Sequence, residues 1–434
     1  MCLLLLSLLI FSLFCFSVKI DNGDILSPLP TSFGSFFIVS FIAFLYNRFG
    51  RWNITFNTVL IILTSLLTFL IGYVLSRFPI VKTMNIKKSY TYTTKITNTL
   101  MFVLIFFELI VTALNFRATL KISKFIYQKS TIINMLMYAR NAYIFTDASI
   151  NKVLSLFILS TNGIAYYLTY HIILQIITEK YSSKILIINE SIYIFISLLN
   201  SMLGTGRTFL IKWMVYFVFS YYYLLLDIRG IKKFKFNEII DNLKICICAF
   251  IIFFFAFQFM GIFTGKTGKL NSIDMLYEYS GSAIIALNNA IEEYKSDGRV
   301  WGEECFYGLY GFLNKFGFNI PNRILHLPFT QVGDNIRTNI YSSIRSYLYD
   351  FGFFGIYIIQ FIIGFTSGIL YRLLRYTYSN NPFYILLYGL FMYGIVMQGI
   401  EEILFRNFMS VTNIILVVSF YLMYFFTTRI RIIL

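Results

Sequence analysis

Long runs of apolar residues recur along the whole chain, and they constrain the fold more than any other feature. The first run, MCLLLLSLLIFSLFCFSV, opens the sequence, and similar runs follow at short intervals. A bilayer core needs about 20 mostly apolar residues for each helix that crosses it. With 58% hydrophobic and 13% charged residues, the chain has more apolar surface than a soluble domain can bury. The sequence therefore predicts an all-α polytopic integral membrane protein.

Segment length predicts about 11 transmembrane helices, within a range of about 10–12. The first run lacks a basic flank and a cleavage site of small residues, so we expect a retained helix rather than a removed signal peptide. The chain is predicted to have three parts, which are N-terminal transmembrane helices in 1–263, a large extracytoplasmic loop in 264–349, and C-terminal transmembrane helices in 350–434. The predicted spans lie near 2–18, 32–47, 55–76, 98–116, 153–178, 185–203, 207–227, 243–263, 350–371, 383–400 and 407–428.

The formal charge of +16 comes mostly from Lys and Arg in short connections between apolar runs. The positive-inside rule explains such a pattern, so nucleic-acid binding is not expected. The basic segments 229–236 and 371–376 and the C-terminal TTRIRIIL are predicted to be cytoplasmic. Alternation of the spans then places the loop 264–349 and the turn 203–207 on the other side of the membrane.

The basic segment 117–152 does not fit this alternation, because six Lys and Arg residues would lie on the extracytoplasmic side. Two explanations stay open. The segment is an interfacial amphipathic element, or one span upstream has been miscounted. The side on which the N-terminus lies depends on the choice.

The loop 264–349 is the one part of the chain with the character of a soluble protein. It carries eight basic and eight acidic residues, and loops of this length in a compact protein are usually functional or disordered. YSGSAIIALNNAIEEYK and ECFYGLYGFLNKFG both have the apolar spacing of an amphipathic helix. We expect an ordered loop whose two helices pack on, or dip into, the outer membrane surface.

Arg207 lies in the glycine-bracketed turn LGTGRTFL between two apolar runs. Glycines allow close approach of a ligand, and a guanidinium binds phosphate or carboxylate through two hydrogen bonds. This pattern is typical of an anion site, but an interfacial arginine that only anchors a helix gives the same pattern.

Arg337 and Arg345 stand on the polar approach to the ninth span, eight residues apart. If the approach is helical, they lie nearly on one face, because an α-helix has about 3.6 residues per turn. With Arg207 from another helix, they are predicted to clamp the two phosphates of a pyrophosphate. The alternative is that they anchor a helix in headgroups or pair with Asp334 and Asp350.

Glu401, Glu402 and Arg406 form another charged group on the predicted outer side, where Glu401 and Arg406 could equally be a structural ion pair. His326 is a candidate general base, and Asp334 and Glu401 are rivals for that role.

His171 lies in an apolar span and is predicted to be a core residue with its polar atoms bonded. No cluster of metal-ligand residues occurs, so we expect no metal and no cofactor.

Asp350 begins the sequence DFG, which here lacks the other signatures of a kinase. We expect its side chain to cap the helix that follows. Gly364 and Gly368 form a pair of small residues four positions apart, which predicts close helix packing.

The order of these motifs resembles the oligosaccharide repeat unit polymerases, the Wzy-type enzymes that polymerise O-antigen and capsular repeat units. The stretch NIYSSIRSYLYDFGFFGIYIIQFIIGF resembles the family pattern that closes the large extracytoplasmic loop. Arg207 is similar to the arginine that follows a small-residue turn in that family. The resemblance covers residues 200–375. The positions that match the loop pattern are Asn339, Tyr341, Asp350, Gly352, Gly355 and Gly364.

The resemblance implies a metal-independent glycosyltransferase of the GT-C-like superfamily in a bacterial cytoplasmic membrane. Such an enzyme moves a glycan from undecaprenyl pyrophosphate to the sugar of another lipid-linked repeat unit. Membrane lipids and a chain-length regulator are further expected partners. The candidate catalytic residues are Arg207, Arg337, Arg345, His326 and Glu401. The candidate substrate-binding residues are Asn335, Asn339, Tyr341, Arg299, Asp350 and Arg406.

Two other functions stay open. An O-antigen ligase shares this layout but passes the glycan to a lipid or protein acceptor. A lipid-linked oligosaccharide flippase is expected to show internal repeats and charged residues within spans near the bilayer midplane. The sequence shows no evident repeat, and its charges are expected to concentrate outside the spans.

Overall fold

The computed structural model describes residues 1–47, 52–77, 96–178, 184–230, 272–295, 301–320, 327–377 and 382–429, apart from 129, 132, 133, 147, 205, 207 and 409, together with isolated positions from 238 to 261. In these residues, nine helices are long and apolar enough to cross a membrane, and Pro382–Met397 is a shorter apolar helix. The predicted all-α polytopic membrane fold is confirmed. The predicted span 243–263 lies almost wholly outside the described residues, so the full number of spans stays a prediction.

The helices follow the predicted spans, with the ends set by the polar connections. The first half of the chain contains α1 Cys2–Ile20, α2 Pro28–Asn47, α3 Phe56–Leu75, α4 Asn98–Ile126, α5 Met135–Phe145, α6 Lys152–Thr178, α7 Lys184–Met202 and α8 Thr208–Arg229. The second half contains α9 Ser272–Leu276, a π-helical turn Tyr277–Gly281, α10 Ser282–Glu292, α11 Tyr307–Lys315, β1 Thr330–Gln331, β2 Arg337–Thr338, α12 Ser343–Arg372, a π-helical turn Leu373–Thr377, α13 Pro382–Met397, α14 Leu404–Phe408 and α15 Val411–Arg429.

Hydrogen bonds between connections define one end of the bundle, which we call the Asp24 end. Asp24 follows α1, and its carboxylate accepts hydrogen bonds from Tyr222 near the end of α8 (2.9 Å) and Tyr371 near the end of α12 (2.7 Å). The predicted cytoplasmic segments 229–236 and 371–376 begin at this end.

The opposite end carries the described part of the large loop. Near the end of α2, Tyr46 donates to Asp274 (2.9 Å), and the amide of Thr55, just before α3, donates to Asn288 (2.7 Å). Helices α2 and α3 therefore run in opposite directions, as the sequence predicts. We call this the Glu304 end, after the ion pair described below.

The basic segment 117–152 contains no additional membrane crossing among its described residues. Arg117, Lys121 and Lys124 lie on the last turns of the 29-residue helix α4. The short helix α5 folds back on it, and the Tyr127 and Tyr138 rings stack with centroids 5.1 Å apart. The choice between an interfacial element and a span miscounted upstream stays open, because residues 78–95 lie outside the described residues.

The two helices predicted in the large loop are present as α10 and α11. Ile284 and Leu287 of α10 are fully buried, and a Cβ at Gly281 would lie 2.8 Å from the Ala43 amide of α2. Helix α10 therefore packs inside the protein, and the expectation that the two helices pack on, or dip into, the membrane surface stays a prediction.

A two-stranded antiparallel hairpin, which the sequence did not suggest, precedes α12 and pairs Thr330 with Thr338. Arg337 belongs to this hairpin, whereas Arg345 lies in α12. The prediction that these two arginines share one helical face is therefore wrong. Extended backbone separates them.

Helices α3 and α12 pack closely along their small residues. A Cβ at Gly364 would lie 2.2 Å from the carbonyl oxygen of Phe69, and one at Gly72 would lie 2.3 Å from that of Phe361. Gly368 faces Ser76 in the same way. The prediction from the Gly364 and Gly368 spacing is confirmed, and α3 supplies a matching glycine.

We expect Gly364→Ala to lower the free energy of unfolding by about 1–3 kcal/mol, because the added methyl group overlaps backbone that cannot rotate away. Gly34→Ala on α2 is the matched control, since its Cβ would meet only the Phe14 ring, at 3.4 Å. Thermal unfolding in detergent measures both. Equal melting temperatures for the two variants would contradict this account of the packing.

Candidate functional site

A buried ion pair lies at the centre of the polar residues at the Glu304 end. Arg345, 2% exposed, places Nη1 2.7 and 2.5 Å from the two carboxylate oxygens of Glu304. Ser346 donates a further hydrogen bond to Glu304 (2.9 Å). The Tyr341 and Tyr349 rings lie 4.5 and 4.3 Å from the guanidinium carbon. Arg345 is thus held between a carboxylate and two aromatic rings.

Asp350 does not cap the helix that follows it, contrary to the prediction. Its carboxylate accepts hydrogen bonds from the amides of Glu304 (3.1 Å) and Cys305 (2.7 Å). It therefore fixes the turn that carries the partner of Arg345. Two residues later, α12 kinks at Gly352, where φ is +71° and ψ is −175°. Only glycine adopts this conformation readily, which accounts for the DFG sequence at this point.

The connection between α13 and α14 lies inside the bundle rather than at its edge. Helix α13 has 16 residues and is thus about 24 Å long, so it is shorter than the other spans. The amide of Gly399 donates to Ser35 (3.1 Å), and Ser32 donates to the Gln398 side chain (2.8 Å). Ser32 and Ser35 belong to the first turns of α2, far from its Glu304 end.

The same connection joins the start of α12, because the amide of Ser343 donates to the Gln398 carbonyl (3.0 Å). The backbone of Gln398 and Gly399 therefore bounds the site inside the bundle, and we call this backbone the floor of the site. Non-helical backbone at this depth is tolerated because protein groups bond to it.

Glu402 caps α14. Its carboxylate accepts hydrogen bonds from the amides of Phe405 (2.9 Å) and Arg406 (3.2 Å), and the residue is 3% exposed. Burial raises the pKa of Glu402 to about 8, although both hydrogen bonds favour its charged form. Desolvation is the larger effect.

Glu401 and Arg406 form the ion pair that the sequence allowed as one alternative. Their side chains are 3.3 Å apart and, unlike Glu304 and Arg345, partly exposed, at 34% and 17%. The Arg406 guanidinium also lies 5.5 Å from the centre of the Tyr307 ring. These are the charged groups beside the floor that a ligand could contact.

The remaining candidate residues are spread between the centre and the rim of the site. Arg337 and Asn335 are exposed, and Asn339 is half-buried. Tyr341 is buried, and its hydroxyl donates to the Pro328 carbonyl (2.9 Å). Arg207, Arg299 and His326 lie outside the described residues.

The structure brings Tyr341, Arg345 and Asp350 together around Glu304. Phe306 links this group to the Glu401–Arg406 pair, because its ring contacts the Phe405 ring with centroids 5.9 Å apart. In the sequence alone, Glu304 is one of eight acidic residues of the loop, and no motif marks Ser346. The available signal was the equal number of acidic and basic residues in the loop, since a buried arginine requires a carboxylate partner.

Ionisable residues also occur within the membrane-spanning helices, although charged residues were expected to concentrate outside the spans. Glu108 in α4 is fully buried, and Lys212 lies in α8. His171 Nδ1 lies 2.7 Å from Glu190, so its prediction as a bonded core residue is confirmed. The expectation that charges concentrate outside the spans is wrong at these positions. Within the described part of the chain, no group of three or more His, Cys, Asp or Glu residues could hold a metal ion.

Comparison with family models, curated proteins and solved structures finds no match for this chain.

We expect Glu304→Gln to lower the free energy of unfolding by about 3–5 kcal/mol, because it leaves Arg345 charged and buried without a partner. The double variant Glu304→Gln, Arg345→Met should recover part of this loss. Glu401→Gln breaks a more exposed pair and should cost about 1 kcal/mol or less. Urea or thermal unfolding in detergent measures the stability of each variant and so ranks the variants. A Glu304 variant as stable as the Glu401 variant would contradict the central role of the buried pair.

The raised pKa of Glu402 predicts a pH dependence of stability. Between the usual glutamate pKa and about 8, the folded protein keeps a proton that the unfolded chain has lost. Stability should therefore fall as the pH rises through this window and level off above it. Glu402→Gln should flatten the fall in a series of melting temperatures from pH 5 to 9. Identical slopes for wild type and variant would contradict the buried, protonated state.

Proposed function

We propose that this protein is a membrane glycosyltransferase that polymerises lipid-linked oligosaccharide repeat units. The growing glycan would pass from undecaprenyl pyrophosphate to the sugar of another lipid-linked repeat unit, at the extracytoplasmic face of a bacterial cytoplasmic membrane. One observation carries the proposal. Tyr341 and Asp350 of the polymerase-like pattern lie with Arg345 around Glu304, and Phe306 joins this group to the Glu401–Arg406 pair through the Phe405 ring.

The division of the charges suggests different roles for the arginines. Arg345 is neutralised by Glu304 and closed off by two tyrosine rings, so we assign it a positioning role. Arg337 is exposed and Arg406 is partly exposed. These two are the described arginines best placed to stabilise the charge that develops on the pyrophosphate leaving group. Arg207 and Arg299 remain proposals for the same site.

Glu401 is the described carboxylate that best suits a general base. Its side chain is partly exposed, burial raises the pKa of Glu401 above the usual glutamate value, and the neighbouring Arg406 guanidinium opposes this rise. Glu402, in contrast, is buried and holds the start of α14. In the proposed reaction, the acceptor hydroxyl oxygen bonds to the anomeric carbon and its proton passes to Glu401. The bond from that carbon to the pyrophosphate oxygen breaks, and the oxygen keeps the electron pair. His326 remains a rival for this role.

Two alternatives keep support. An O-antigen ligase would use the same site with a different acceptor. A flippase gains support from Glu108 and Lys212, since charged residues within spans often mark a substrate pathway.

A chain-length regulator is a further proposed partner.

The test is complementation of the source bacterium deleted for this gene, with Arg406→Ala, Arg337→Ala and Glu401→Gln. We expect each variant to reduce the polymer in the ladder of surface glycan by about 100-fold or more, because removal of a catalytic charge typically costs at least that factor in rate. Lys121→Ala, which removes an exposed charge on α4, is the control and should restore the full ladder. Glycan gels and membrane protein levels are the measurements.

The outcomes separate the functions. Single repeat units on the surface of the deletion strain support polymerisation. Full polymer that stays lipid-linked in the deletion strain would replace the polymerase with a ligase. Repeat units trapped on the cytoplasmic side would replace it with a flippase. Normal ladders from all three site variants would overturn the assigned residues.

A further inference from the structure

A cavity separate from the Glu304 site lies between α4, α6, α7, α8 and α15. Its volume is about 250 Å³, near the lower limit for ligand pockets, so it suits one ring-sized group rather than a whole repeat unit. Most of its lining surface is apolar, and several amide and hydroxyl side chains and one ammonium group also line it. The polar lining includes Asn115, Asn162, Asn200, Ser197, Ser201 and Lys212.

Lys212 gives the cavity a positive charge that no described carboxylate balances. Its ammonium group donates to the side-chain oxygen of Asn413 on α15. Among the described residues, no Asp or Glu lies within ion-pair distance of it. Glu108, whose carboxylate is bonded to the lining residue Asn200, accepts from the Asn200 side chain (3.2 Å). A cation in a membrane-embedded helix is costly without a counter-ion, so a bound anion would stabilise this arrangement.

The other lining groups match the chemistry of a sugar. Asn162 accepts hydrogen bonds from Ser197 (2.9 Å) and Ser201 (2.8 Å), which holds a row of polar groups along one wall. The side-chain oxygen of Asn115 is buried and has no described hydrogen-bond partner. Trp213 lines the cavity, and its indole N–H is fixed by Thr169 (3.0 Å). Such a held aromatic ring can pack on the face of a sugar.

We propose that this cavity binds a sugar with one carboxylate, a uronic-acid residue of the lipid-linked glycan. One lysine suits a single carboxylate, whereas a pyrophosphate would require more than one cation. The proposal rests on the proposed function only for the source of the sugar. It narrows the substrate class to glycans that contain an acidic residue.

The experiment measures thermal unfolding of the purified full-length protein in detergent, with glucuronate, glucose or inorganic phosphate at equal ionic strength. We expect glucuronate to raise the melting temperature by about 2 °C or more at saturation, and glucose and phosphate to raise it by less than half as much. Lys212→Met should abolish the glucuronate effect. Its own melting temperature should equal or exceed that of wild type, because an unbalanced charge is removed. Lys121→Met is the matched control and should respond like wild type.

Several results would overturn the site. They are no shift with glucuronate, an equal shift with glucose, or a shift that Lys212→Met retains. A larger shift with phosphate than with glucuronate would assign the cavity to a carrier phosphate instead. The measurement needs no polymerase activity. A glucuronate effect in a protein that fails the complementation test would therefore separate this site from the proposed function.

Discussion

The structure depends on one constraint, which is that backbone N–H and C=O groups need partners where no water reaches them. Helices satisfy this along each span. The connection after α13 is an exception, because its backbone is not helical and yet lies within the bundle. The candidate site lies beside this connection. Ser35 bonds to the Gly399 amide, and Ser343 bonds to the Gln398 carbonyl. A non-helical floor exists at this depth because neighbouring helices complete its hydrogen bonds.

The same constraint sorts the charged residues into two groups. A fully buried charge must be neutralised locally, and Glu304 does this for Arg345 through bonds of 2.5 and 2.7 Å. Such a pair fixes geometry but has little capacity left for a ligand. The Glu401–Arg406 pair is partly exposed and can exchange its partners. Burial therefore decides which arginine positions the site and which one can contact a substrate.

The features that depend on local sequence pattern, which are the helices and one helix contact, could be predicted. Hydropathy gave the helices, and the spacing of Gly364 and Gly368 gave the contact with α3. Prediction from the sequence failed where distant segments decide the outcome. The carboxylate partner of Arg345 is 41 residues away along the chain, and Asp350 bonds to the same distant turn instead of its own helix. The helical assumption for Arg337 failed because a two-residue strand carries no periodic signal.

Asn413 connects the two polar sites physically. Its side-chain oxygen accepts from Lys212, and its side-chain nitrogen donates to the Asn407 carbonyl (2.7 Å), next to Arg406. An anion at Lys212 would compete for the ammonium group that now bonds to Asn413. The corner between α14 and α15 would lose one of its restraints, and that corner carries Arg406. On the proposed function, an acidic sugar in the cavity would thus bear directly on the geometry of the residue assigned to the leaving group.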